Sequence, residues 1–249
     1  MRLTAFVGWD SREAEAYEVC RHTLRRNASC DVDILPIKLD ELRASGLYTR
    51  PTEQRDGRLW DTISGAPMST EFAVSRFFLP HLAARSDLRD GWALFCDCDF
   101  LWFGDVAEML QEANPQAALC CVKHSYEPVE AIKMDGQAQV LYARKNWSSL
   151  MLFNLGHPAH RALTLDVLNG VPGRDLHRFC WLPDDQISAL PHDWNWLEGW
   201  SPNLSRVPRA VHFTRGGPWM AGWENVQYAA EWSAALAEAA AESADRAEP

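Results

Sequence analysis

The sequence predicts an α/β fold: a three-layer α/β/α domain around a mostly parallel central sheet. Two observations carry this. The chain opens strand, helix, strand, and a longer apolar run, WALFCDCDFLW, is followed by a helix near Asp105 and a further strand, AALCCVK. Such an order marks a parallel sheet with crossover helices, whose ligands gather in the loops at the strand C-termini. The 249 residues suit one sizeable domain, since single cores stay workable to roughly 250–300 residues.

The elements follow in order. LTAFVG is apolar and ends in Gly8; SREAEAYEVCRHTLRR carries apolar residues at helical spacing; VDILPI supplies the second strand. The loop from Gly8 to Arg12 is therefore a candidate site. From about Gly46 to Thr70 the chain is polar and aperiodic, which predicts a long excursion rather than packed structure. EFAVSRFFLPHLA predicts a largely buried helix bearing Phe72, Val74, Phe77 and Phe78, with Ser69 or Thr70 as N-cap and Arg76 as its charged exception. The second half is less regular. It holds a strand-like NWSSLMLFN, helices near 157–169 and 174–180, a Trp-rich DWNWLEGW, a short strand AVHFT and a Gly-Gly-Pro-Trp turn. No repeat or linker divides residues 1–228. Residues 229–249 are Ala-rich, with five acids and one arginine, and read as an exposed helix fraying into disorder.

Composition excludes several function classes. A net charge of −10 argues against binding nucleic acid, which needs concentrated Lys and Arg. MRLTAFVGWDSREAEAY meets charge too early for an export signal, and no apolar run reaches the ~20 residues of a membrane span. A soluble, cytoplasmic protein without an integral membrane segment is expected. The seven cysteines form no CxxC pair and read as reduced, mostly buried thiols.

Asp97 and Asp99 stand one residue apart where a hydrophobic strand ends. Alternation along a strand places both carboxylates on one face, where hard oxygen donors suit Mg²⁺ or Mn²⁺ and the cation bridges phosphate oxygens. The plainer alternative is a helix N-cap or solvated turn, but Asp105 is better placed to start the next helix. His212, in AVHFTRGGPW at the end of a short apolar strand, is a third candidate ligand. Backbone N–H groups around Gly216 and Gly217 can approach a diphosphate closely, because nothing bulky intervenes.

The order of a first-strand loop, a helix arginine, FCDCDF, an Asn-containing strand, an Asp-Gln pair and a late His-Phe-x-x-Gly segment resembles glycosyltransferase family 8 and its GT-A relatives, over about residues 3–220. The resemblance implies a catalytic domain of the nucleotide-diphospho-sugar transferase type. It implies that Asp97, Asp99 and His212 bind Mn²⁺, that Gly8, Asp10 and Arg12 lie beside the nucleotide, and that Arg76 reaches the donor. Asn146 matches an asparagine contacting the donor sugar, and Asp185 and Gln186 match a pair beside the anomeric carbon. The implied reaction moves a hexosyl group from a nucleotide-diphosphate sugar, UDP-linked, to a carbohydrate, lipid-linked or protein hydroxyl, with retention.

Two departures stand out. The usual HxxGxxKPW is replaced by HFTRGGPW, one residue shorter and lacking the lysine, so that Arg215 is the substitute cation; serines occupy 148 and 149 where that family has glycine. A haloacid-dehalogenase-like phosphatase is a rival, but Phe100 and Leu101 break its DxDx(T/V) pattern and GDxxxD is missing. The sugar-phosphate nucleotidyltransferase pattern fails because VGWDSR is not a Gly-rich loop. A carbohydrate-binding protein of glycosyltransferase ancestry would use Trp194, Trp196 and Trp200, which read either as an acceptor platform or as core.

Overall fold

The computed structural model describes residues 2–125, 144 and 146–247. The chain runs from β1 (Arg2–Gly8) through α1 (Ala14–Asn27) to β2 (Asp31–Ile37) and a short α2 (Leu39–Ala44). Then come β3 (Thr52–Arg55), β4 (Arg58–Asp61), β5 (Ala66–Pro67) and α3 (Leu79–Arg85). The middle holds β6 (Trp92–Cys96), β7 (Phe100–Trp102), α4 (Val106–Glu112), β8 (Leu119–Cys121) and β9 (Leu150–Asn154). After α5 (Leu165–Gly170) and α6 (Gly173–His177) follow β10 (Ile187–Ala189), β11 (Trp196–Leu197), β12 (Ala210–His212) and α7 (Ala229–Ala247).

The central six-stranded sheet has the order β10-β8-β9-β6-β1-β2. β1 pairs in parallel with β2 and β6, and β10 with β8, while β9 opposes both its neighbours. The expected mostly parallel sheet is therefore present. Apolar runs form these strands because both sheet faces are covered: Ala5, Val7, Leu94, Phe95, Met151 and Leu152 are all fully buried. From β1 the chain goes to β2 on one side and returns to β6 on the other. That reversal opens a crevice beyond Gly8 and Cys96, where an α/β sheet binds its ligand.

Four expectations change. Residues 52–67 are an antiparallel three-stranded sheet, not an aperiodic excursion. Its hairpin turns at Asp56-Gly57, with φ of 51° and 74°, the left-handed pair that an Asp-Gly dipeptide favours. A buried ion pair, Arg50 to Asp61 at 2.5 Å, fastens it, and Arg50 also donates to the carbonyls of Leu168 and Val171. Second, EFAVSRFF is a turn followed by a 3₁₀ segment over Ser75–Phe78, leading into α3. Its start is capped by Asp10, which accepts from the Glu71 N–H, and not by Ser69 or Thr70. Third, the α7 helix is packed rather than exposed. Trp232, Ala235 and Ala239 are buried, and Trp232 and Ala235 join Val19, Leu101, Trp196, Val211 and Phe213 in a second apolar cluster. Fourth, Trp194 and Trp196 are core residues, 0% and 3% exposed, which removes them as a stacking platform; Trp200 is half-buried.

All seven cysteines are free, and Cys20, Cys96, Cys98, Cys120 and Cys121 are buried. Among the described residues no helix is long and apolar enough to cross a membrane.

Candidate metal and donor site

β6 ends at Cys96, and Asp97–Asp99 make the turn into β7. The carboxylates therefore meet through a turn and not through alternation along a strand. The turn is fixed on both sides: the Asp97 N–H donates to the Ser149 carbonyl at 2.9 Å, and the Phe213 N–H donates to the Asp99 carbonyl at 3.0 Å. β7 pairs with β12, so that His212 stands opposite Phe100, whose ring stacks on the imidazole at 4.6 Å. One ligand atom from each of Asp97, Asp99 and His212 lies within 4.8 Å of the others.

The electrostatics of this cluster suit a cation. Asp97 Oδ1 and Asp99 Oδ1 are buried and accept no hydrogen bond among the described residues. Arg76 Nη1 forms an ion pair with Asp97 Oδ1 at 2.7 Å and donates one N–H to the Ser148 carbonyl, 2.9 Å away. Glu13 adds a third carboxylate, at the start of α1, and accepts from the Cys98 thiol at 3.3 Å. Burial, then the charge of Asp99, pushes the Glu13 carboxyl up to about 8. Burial likewise raises Asp97 to about 6 against the pull of Arg76. Carboxylates crowded in a water-poor crevice repel, and an oxygen-seeking divalent ion relieves that repulsion. His212 Nε2 faces Asp99 Oδ1 at 3.3 Å, which places nitrogen and oxygen donors around one point. The residues present fit a cation of the Mn²⁺ or Mg²⁺ type.

The cluster lines a cavity of ≈ 130 Å³ together with Glu13, Arg76, Arg215, Gly216 and Trp219. Beside it lies a larger cavity of ≈ 510 Å³, lined by Arg12, Arg43 and Arg58 among others; Thr70 borders both. The remaining candidates are placed as follows. Gly8 is buried under Phe72, whose ring is 2.5 Å from where a Cβ would sit. Asp10 is wholly buried, its carboxylate taken by three donors of Arg12 and the Glu71 N–H. Arg12 is exposed and borders only the larger of these two cavities. Arg215 lies over the rings of Trp200 and Trp223. The Gly216 N–H already donates to the Phe213 carbonyl, and the Trp219 ring lies 1.9 Å from a Cβ built on Gly217. Trp219 thus packs on the face of Gly217 where a side chain would stand.

Asn146 takes a left-handed conformation, φ 64°, just before the 3₁₀ turn Trp147–Ser149 that holds Asp97. Asp185 and Gln186 are elsewhere. β9 begins beside Cys96 and runs to Asn154, and Gln186 sits at that far end, its carbonyl accepting from Ala118. The described residues give the pair no place in the ≈ 130 Å³ cavity. Sequence reasoning also missed Glu13 and Asn195. Asn195 offered a signal, a polar residue between two tryptophans; Glu13 read as an ordinary helix-start acid.

No family model matches the chain. Among curated proteins it is 43% identical over 231 residues to Protein CDI of Arabidopsis thaliana, covering 91% of this chain and 83% of that protein. The chain belongs to the Protein CDI family. Solved structures similar to this CDI-family chain are glycosyltransferases. The bifunctional glycosyltransferase WbbM matches at TM-score 0.60 and 15% identity over 95% of this chain and 50% of its own. The glycosyltransferase GlyE of Streptococcus pneumoniae TIGR4 matches at 0.56 and 16%, over 98% and 64%. The chain thus spans about half to two thirds of those two. The galactosyltransferase LgtC, solved with donor and acceptor sugar analogs, matches at 0.56 and 12%, over 94% and 95%. At these identities the likeness is one of fold: the CDI-family chain has the GT-A-like glycosyltransferase fold.

Proposed function

We propose that the chain is a metal-dependent glycosyltransferase, related to family 8, that moves a hexosyl group from a nucleotide-diphosphate sugar to a hydroxyl acceptor. The observation that carries the reading is the Asp97, Asp99 and His212 cluster, whose buried Oδ1 atoms accept no hydrogen bond among the described residues, at the crevice of a GT-A-like sheet. When bound, the cation neutralises charge on the leaving diphosphate, where it lowers the barrier most. Asp97, Asp99 and His212 would hold it, and Arg76 would set the position of Asp97. Arg215 stands on the cavity wall as a second positive group. The nucleoside extends toward Arg12 and the ≈ 510 Å³ cavity. The anomeric carbon exchanges its bond to diphosphate oxygen for one to the acceptor oxygen, and the acceptor's proton leaves with the diphosphate.

A UDP-linked donor, retention, a carbohydrate, lipid-linked or protein acceptor and a cytoplasmic setting belong to the same proposal. Asn146 joins it through its turn. Asp185 and Gln186 enter only as sequence matches, because their place in the sheet gives them no support. The test is release of nucleoside diphosphate from a panel of nucleotide sugars, with Mn²⁺ and with EDTA. Metal-dependent release from at least one donor is expected. No release from any of them would remove the proposal.

A further inference from the structure

Behind His212 two buried side chains, Ser149 and Asn195, link the imidazole to the Asn146 carbonyl. Asn195 is 0% exposed and lies between Trp194 and Trp196. Its Nδ2 donates to Ser149 Oγ at 2.8 Å, and that hydroxyl donates to the Asn146 carbonyl at 2.8 Å. Its Oδ1 lies 2.9 Å from His212 Nδ1.

The directions follow from the donor inventory. A hydroxyl that gives its hydrogen to Asn146 can only accept from Asn195, so the amide presents its NH₂ to Ser149 and its oxygen to His212. An oxygen facing Nδ1 requires the proton there. In neutral imidazole Nε2 is then left bare, 3.3 Å from Asp99 Oδ1. A cation held between them relieves two bare acceptors that face each other. The flipped amide would strip the Asn146 carbonyl of its donor and move the imidazole proton to Nε2, where it blocks a metal.

We propose that Asn195 is a positioning residue, and that the Asn146–Ser149–Asn195 relay holds His212 as the Nδ1–H tautomer with Nε2 turned to the cation. This rests on reading Asp97, Asp99 and His212 as a divalent-metal site. The relay also ties the ligands together, because the Ser149 carbonyl accepts the Asp97 N–H and the Ser148 carbonyl accepts Arg76. The serines at 148 and 149 thus anchor the β6 side of the site, and Ser149 reaches the β12 side through Asn195. Outer partners of this kind fix ring orientation and ligand basicity.

The experiment combines histidine ¹⁵N NMR of the metal-free full chain with Mn²⁺ titration by EPR. Wild type is expected to show His212 as the Nδ1–H tautomer. Asn195→Leu should shift it toward Nε2–H and weaken Mn²⁺ about 10–100-fold, whereas Asn195→Asp, which keeps the acceptor, should stay within about threefold. Ser149→Ala should weaken Mn²⁺ less, and the double variant should be no worse than Asn195→Leu alone, since the link is already cut. If Asn195→Leu does not fold, Ser149→Ala against Asn195→Asp decides. An Nε2–H tautomer in wild type, or Asn195→Leu and Ser149→Ala variants that bind Mn²⁺ like wild type, overturns the proposal. A wild type that shows the Nδ1–H tautomer but binds no Mn²⁺ overturns the metal reading, and the proposal falls with it.

Discussion

Arg76 Nη1 lies 2.7 Å from Asp97 Oδ1, yet the guanidinium gives its hydrogen bonds to the carbonyls of Ser148 and Phe72. The positive charge steadies the carboxylate, and Oδ1 accepts no hydrogen bond among the described residues. The guanidinium also sits 5.2 Å from the ring centres of both Phe72 and Phe95.

That geometry makes Arg76→Lys costly in two ways. An ammonium keeps the charge but cannot fork to two carbonyls or spread over two rings. We expect kcat/KM for the donor to fall at least roughly tenfold, about 1.4 kcal/mol in transition-state terms. A lost buried hydrogen bond should also cost roughly 1–2 kcal/mol of stability, a Tm drop of about 2–8 °C. Lower Tm with full activity per folded molecule would leave Arg76 a packing role alone.

Asp99→Asn should separate metal binding from folding. The substitution is isosteric, so Tm in EDTA should stay close to wild type. Mn²⁺ binding only the native state raises Tm by mass action, and that increment should vanish in the variant. An equal Mn²⁺-induced shift in both proteins would show that Asp99 is not a ligand.

Much of this was legible where one residue type decides the outcome. Apolar runs mark β1, β6 and β9, the Asp105 cap starts α4, and the DCD turn with His212 marks the metal cluster. Asp56-Gly57 is a hairpin signal that sequence reasoning missed, because β3 is polar and largely exposed and β4 is only four residues long, too little to show the alternation that usually reveals a strand. Placement by tertiary contact was not legible. The fate of Gly217 depends on where Trp219 folds back, and Asn195 gains its role only when β11 and β12 pair. Asp185 and Gln186 match a motif in order, yet the sheet register carries them to the other end of β9.

α7 should prove integral to the domain. Its Trp232 is 4% exposed in the cluster with Leu101, Val211 and Phe213. Trp232→Ala is expected to cost about 3–5 kcal/mol by urea denaturation. Truncation after Tyr228 should lower solubility by baring that cluster. A truncated chain with an unchanged unfolding midpoint would restore the reading of these residues as a dispensable tail.

Arg50→Ala tests whether the 52–67 sheet is held from inside. Removing one partner of the buried Arg50–Asp61 pair leaves an uncompensated charge, worth about 3–5 kcal/mol. Hydrogen exchange should then speed up first in residues 52–67, beside the cavity wall at Met68–Thr70. Uniform acceleration over the whole chain would mean that the pair serves global stability only.

The central claim is that Asp97, Asp99 and His212 hold one divalent cation. Isothermal titration of the full chain with Mn²⁺ reads this directly, beside the Asp97→Asn/Asp99→Asn double variant. One Mn²⁺ per wild-type chain, and none in a variant that keeps its fold by circular dichroism, is the expected result. Equal Mn²⁺ binding by the two proteins, or none by wild type, would contradict it.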